Sequence, residues 1–141
     1  MLSLNITLDG CKELHDKCRL FPNGQGSYDL AVAAALDAKR LGFNSTKITF
    51  SPDNVNYVYQ GLTNIMSLGF KNIYANCVFE NVWKNIEDIK LYYQELKKVA
   101  EWIKNNNYND KIFFRIFNPY GYKKLLEWDL DTQWCGTTAS M

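Results

Sequence analysis

Hydrophobic and polar positions follow two periods along this chain, and the two alternate. Short stretches rich in β-branched and aromatic residues read as strands: SLNITL at 3–8, TKITF at 46–50, NIYANCVF at 72–79 and KIFFRIF at 111–117. After the first strand comes an interrupted segment, CKELHDKCRLF, and then a turn at PNGQG. Ser27 predicts an N-cap for a helix over 27–41, with Leu30, Ala34 and Leu41 at helical spacing and Gly42 as its stop. Ser51-Pro52-Asp53 opens another helix with a serine cap, a proline at the first helical position and an early acid. Its apolar stripe is Val55, Val58, Tyr59, Leu62, Ile65 and Met66, and Gly69 closes it. The longest helix spans about 85–104. Its periodicity predicts Ile86, Ile89, Tyr93, Leu96, Val99 and Ile103 inside, with Glu87, Lys90, Glu95, Lys98 and Glu101 outside.

The chain is therefore α/β, built from alternating β-α units. Strands joined through helices form parallel sheets, because a parallel neighbour needs a crossover connection. Two architectures accommodate this order: an arc of a β/α barrel, or a small doubly wound parallel sheet acting as a non-catalytic ligand- or partner-binding module. A doubly wound sheet predicts both faces covered. A barrel arc predicts an open sheet with an exposed apolar inner face or edge, and hence a homo-oligomer.

With 141 residues, 47% of them apolar, the chain can bury one core. Its 16 Lys+Arg against 15 Asp+Glu leave no basic footprint for nucleic acid. No run reaches the length of a membrane span and MLSLNITLDG lacks the regions of a signal peptide, so a cytoplasmic location is expected. Cys11, Cys18, Cys77 and Cys135 form no C-x-x-C pair, and the first three read as reduced thiols. His15 is the sole histidine, which excludes a multi-histidine metal site. Gly24-Gln25-Gly26-Ser27 lacks the spacing and lysine of a phosphate loop. Tyr92, Tyr93, Trp102 and Tyr108 read as packing residues on or near a helix face.

In β/α sheets, ligands gather at the C-terminal ends of the strands. Here those ends are Thr7-Leu8-Asp9-Gly10, Ser51-Pro52-Asp53, Asn76-Cys77-Val78-Phe79-Glu80 and Arg115-Ile116-Phe117-Asn118. All four carry polar groups, which predicts a ligand-facing rim. Capping alone accounts for Ser51 and Asp53.

The most specific string is Thr7-Leu8-Asp9-Gly10-Cys11-Lys12-Glu13-Leu14-His15-Asp16-x-x-Arg19. It resembles the S-[IL]-D-G-P-K-E-x-H-D-x-x-R segment of radical S-adenosylmethionine enzymes that modify peptides and proteins, among them anaerobic sulfatase-maturating enzymes and thioether-forming peptide maturases. Thr7 stands for the usual serine and Cys11 for the usual proline. Trp134-Cys135-Gly136 resembles the start of the C-terminal SPASM extension of that group. The C-x-x-x-C-x-x-C motif that holds the catalytic cluster in the family does not occur in this chain.

The resemblance implies an arc of a partial (β/α)6 TIM-like barrel over 1–119 and the start of the extension over 120–141. It implies S-adenosylmethionine and [4Fe–4S] clusters as cofactors of a longer parent protein, and hydrogen abstraction from a peptide or protein substrate. Thr7 and Arg19 would face the cofactor, Asp9 would orient their loop, and Ser51 and Asn76 would add polar contacts. Cys135 would ligate an auxiliary cluster. The chain by itself is expected to bind neither S-adenosylmethionine nor a cluster and to be inactive. For Arg19, the residue types alone offer instead a surface ion pair with Asp16.

Overall fold

The structure, a computed structural model, describes residues 6–78, 80–108, 113–114 and 117. Strands β1 (Ile6–Thr7), β2 (Ser45–Phe50), β3 (Asn72–Cys77) and β4 (Phe113–Phe114) form one sheet in the order β1-β2-β3-β4, every neighbouring pair parallel. Helices α1 (Lys12–Cys18), α2 (Tyr28–Arg40), α3 (Val58–Ser67) and α4 (Ile86–Asn105) fill the crossovers, and a 3-10 helix at Pro52–Tyr57 precedes α3.

That order separates the two architectures. A doubly wound sheet reverses its strand order at a switch point and carries helices on both faces. Here the order never reverses, and burial falls on one side. Thr46, Ile48 and Phe50 of β2 and Ile73 and Ala75 of β3 are buried, whereas Lys47 and Thr49 are exposed and Tyr74 and Asn76 half-buried. This is an arc of a β/α barrel. On β1–β3 the uncovered face is not the apolar surface expected of an open arc. Thr7, Ser45, Lys47, Thr49, Asn72, Tyr74 and Asn76 occupy it there by alternation and register, all of them polar, and Phe113 of β4 stands in register with Asn72.

The covered face packs Leu8, Ile48, Phe50 and Ile73 against Leu14 of α1, Leu62, Ile65 and Met66 of α3, and Val99 of α4. Each such side chain contributes about 1.5–3 kcal/mol by leaving water. One flaw sits inside this layer. Thr46 is fully buried and its hydroxyl has no hydrogen-bond partner among the described residues. Thr46→Val keeps the shape and removes the stranded hydroxyl. We expect it to raise stability by about 1 kcal/mol, measured as a higher urea midpoint.

Several sequence expectations need correction. The interrupted segment contains a true helix, α1, which buries Leu14 and His15. The helix begun at Ser51 is divided, its first residues wound as the 3-10 turn. On α2, Ala35 is buried while Leu30, Ala34 and Leu41 are exposed. On α4, Val99 and Ile103 are buried, but Ile86, Ile89 and Tyr93 are exposed. Glu95, expected outside, is 5% exposed. Its carboxylate accepts the Tyr59 backbone N–H at 3.1 Å, satisfying a donor in the first turn of α3, and also pairs with Lys98.

Candidate functional site

The loop leaving β1 is tightly constrained. Gly10 has φ +78°, and a Cβ there would lie 2.6 Å from the Cα of Gly61 on α3. Only glycine permits both the left-handed backbone and the approach. The same turn is tied to α3 by Asn64, whose amide donates to the Gly10 carbonyl at 3.0 Å and to the Tyr28 hydroxyl at 2.6 Å. The strand end is thus bolted to two helices.

His15 is the internal post of this corner. It is 1% exposed, and its Nδ1 accepts the Asp9 backbone N–H at 3.2 Å. An amide can only donate, so Nδ1 carries the lone pair and the ring proton sits on Nε2. Nε2 then donates to Ser27 Oγ at 3.2 Å, and Ser27 Oγ donates to the Arg19 carbonyl at 2.7 Å. Every donor and acceptor in the chain is used once, for neutral histidine only. Ser27 therefore serves this network instead of capping α2 with its side chain. Asp16 takes that role by accepting the Tyr28 N–H at 2.8 Å. Gly26 is needed beside it, because a Cβ there would meet the Asp16 carboxylate at 2.3 Å.

Burial, above all, pushes the His15 pKa below its usual value, with Arg19 acting in the same direction and the Asp9 and Asp16 carboxylates opposing. A base whose folded pKa is depressed gives stability that is complete above its unfolded pKa and is lost as pH falls toward the folded value. Stability should therefore decline below about pH 6.5, by at most about 1.4 kcal/mol per pH unit from this group. Urea midpoints between neutral pH and pH 5 would show it, and His15→Gln should flatten that part of the profile.

Arg19 closes the corner from outside. Its Nε donates to the Asp9 carboxylate, which is 12% exposed, so the expected alternative pairing with Asp16 does not form. The Arg19 side chain is itself 52% exposed, and among the described residues Nη1 and Nη2 form no hydrogen bond. The guanidinium is aimed by one edge and open at the other.

The remaining candidates spread along the rim. Thr7 is exposed on the uncovered face, in register with Lys47. Asn76 lies on that face two strands away, opposite Thr49. Two strand spacings are roughly 10 Å, within reach of one nucleoside-sized ligand. Ser51 is half-buried at the end of β2, where its backbone N–H donates to Asn54 Oδ1 at 2.8 Å. It is a helix-start residue. Cys135 lies outside the described residues. Sequence reasoning passed over His15, Gly61 and Asn64 as parts of the site. The adjacent His15-Asp16 of the motif was the available signal, whereas Asn64 and Gly61 become visible only when α3 is laid against β1.

The described cysteines do not make a cluster site. Cys11 is buried, Cys18 exposed and Cys77 intermediate, and no group of three or more metal-ligating residues is assembled among the described residues. Burial, more than any other cause, pushes the Cys11 thiol up, away from the thiolate that a cluster needs. Among the described residues, no helix is long and apolar enough to cross a membrane.

No family model matches the chain, and no curated protein matches it. Solved structures do. Native anSMEcpe with bound AdoMet and Kp18Cys peptide superposes with a TM-score of 0.65 at 16% identity, over 87% of this chain and 36% of that one. A hexahistidine-tagged anSMEcpe with bound AdoMet gives 0.57 at 17% identity, over 77% of this chain and 30% of that one. Both are structures of an anaerobic sulfatase-maturating enzyme of the radical SAM type. At these identities the likeness is one of fold: the chain has the β/α arrangement of part of such an enzyme, and spans about a third of its length.

Proposed function

We propose that this chain is part of a radical S-adenosylmethionine enzyme that modifies a peptide or protein in the cytoplasm, and that the corner Thr7–Asp9–Arg19, with Asn76 across the rim, binds the cofactor. The observation that carries the reading is the Arg19 guanidinium, fixed at Nε by Asp9 of the loop that leaves β1 and open at both terminal nitrogens. A planar fork of this kind suits a carboxylate, here the methionyl carboxylate. Thr7 offers a hydroxyl to the ribose or methionyl group, Asn76 an amide to the far end, and Ser51 a weaker contact from the neighbouring strand end. His15 holds the Asp9 backbone, so that Asp9 can hold Arg19.

These donors fit S-adenosylmethionine, which when bound supplies hydrogen-abstracting chemistry after reductive cleavage. They do not fit an iron–sulfur cluster, which in this reading belongs to another part of a longer protein. Cys135 would serve an auxiliary cluster in a SPASM-type extension over 120–141. The peptide held by one of the anSMEcpe structures agrees with a peptide partner for this chain.

The test is anaerobic. This chain, reconstituted with iron and sulfide and given dithionite and S-adenosylmethionine, should yield no methionine and 5′-deoxyadenosine. The full-length protein of its gene should yield both, and Arg19→Ala in it should raise KM for S-adenosylmethionine about tenfold or more. A full-length protein that binds the cofactor but is indifferent to Arg19→Ala would refute the assignment.

A further inference from the structure

One oxygen of the Asp9 carboxylate, Oδ2, stands between two basic groups. Arg19 Nε donates to it, and His15 Nδ1 lies 4.0 Å away. While the ring is neutral, only Arg19 uses that oxygen, because Nδ1 holds a lone pair and accepts the Asp9 backbone N–H at 3.2 Å. His15 thus touches Asp9 through the main chain and faces its side chain at longer range.

A proton added to His15 must go to Nδ1, since Nε2 already carries one and donates to Ser27 Oγ. Two donors, the Asp9 N–H and the new Nδ1–H, would then face each other across 3.2 Å. His15 is 1% exposed, so solvent does not relieve that contact. The other charged and titratable neighbours among the described residues are Asp16 on α1 and Tyr28 on α2, whose ring meets His15 edge-on at 5.7 Å. Asp16 is already engaged with the Tyr28 N–H. Asp9 Oδ2 is the acceptor left, and a turn of the Asp9 side chain brings it into range. A buried imidazolium outcompetes an arginine side chain that is 52% exposed, because solvent screens the outer pair.

We propose that His15 is a positioning residue for the Arg19 guanidinium, and that its protonation draws the Asp9 carboxylate from Arg19 to the imidazolium. Burial, first of all, sets this exchange at a pH below 6.5, the ordinary value for histidine. With Arg19 as the fork for the methionyl carboxylate, S-adenosylmethionine then binds less tightly in mildly acid solution. By reciprocity, bound cofactor lowers the pH at which His15 protonates. The effect on the cofactor rests on the reading under Proposed function; the exchange of Asp9 between Arg19 and His15 does not.

The experiment follows the His15 ring nitrogens and the Arg19 Nε–H by NMR in the full-length protein of its gene, from about pH 7.5 to about pH 5. Methyl signals of the buried Ile48 and Leu62 report whether the core is kept. At neutral pH the ring proton should be on Nε2. On acidification the Arg19 Nε–H should shift and exchange faster with solvent at the His15 midpoint, with both methyl signals unmoved. Across the same step the Kd for S-adenosylmethionine should rise about tenfold. His15→Gln, which cannot titrate in this range, should hold both readouts level; should it fail to fold, the wild-type titration decides. An Arg19 signal that ignores the His15 titration, or moves only together with the core signals, overturns the proposal. If Arg19 follows His15 but the cofactor binds at no pH, the exchange stands and the cofactor reading falls. If the cofactor binds and Arg19→Ala weakens it, yet the Arg19 signal and the Kd stay level through the His15 titration, the cofactor reading stands and this proposal falls.

Discussion

Gly10→Val should destabilise the fold by about 2–5 kcal/mol, enough to unfold a marginal domain. Two costs add. A β-branched residue must adopt φ +78°, which costs roughly 1–2 kcal/mol. Its Cβ must also enter backbone, at 2.6 Å from Gly61 Cα, where no side chain can swing away. Overpacking of that kind adds about 1–3 kcal/mol. Gly24 provides the control, because it has φ +81° with nothing within 4 Å of a built Cβ. Gly24→Val should show the backbone cost alone, and urea melts of the pair separate strain from contact. Equal losses at both positions would mean that β1 and α3 do not meet as described.

Glu95→Ala should cost about 2–3 kcal/mol, a large effect for a glutamate on a helix expected to turn it toward solvent. The carboxylate is buried, accepts the Tyr59 N–H and sits against the first turn of α3. Removing it strands that donor and takes a negative charge from a helix N-terminus. Glu95→Gln keeps an acceptor and should lose about half as much. The comparison distinguishes the cap from the exposed partner Lys98, whose replacement by methionine should change stability by less than about 1 kcal/mol. Urea midpoints of the three variants are the measurement.

Glu95 also marks where the sequence stops being informative. Helical spacing states which residues share a face, and Glu95 shares one with Val99 and Ile103. Residue type argued the opposite, and only the neighbouring start of α3 decides between them. Ile86, Ile89 and Tyr93 fail in the reverse direction, being apolar residues on a face that no described element covers. The stripe on α3 was legible because periodicity and packing agree there, at Val58, Leu62, Ile65 and Met66.

The strand order could not be read from the chain. A barrel arc and a doubly wound sheet share their local patterns and differ only in which strands adjoin. The polar inner face, by contrast, was written into TKITF, where Lys47 and Thr49 alternate with Ile48 and Phe50. The expectation of a greasy open sheet ignored that alternation. The motif from Thr7 to Arg19 was legible as a string, yet most of its letters prove architectural. Gly10, His15 and Asp16 build the corner, and Asp9 with Arg19 closes it.

What that corner is for can be tested directly on the full-length protein of its gene. Titrating S-adenosylmethionine into that protein, isotopically labelled, should move the signals of Thr7, Asp9, Arg19 and Asn76, and Arg19→Ala should weaken the response about tenfold or more while changing the unfolding free energy in urea by less than about 1 kcal/mol. No movement at those residues, or movement confined to the groove between Tyr59 and Trp102, would contradict the account.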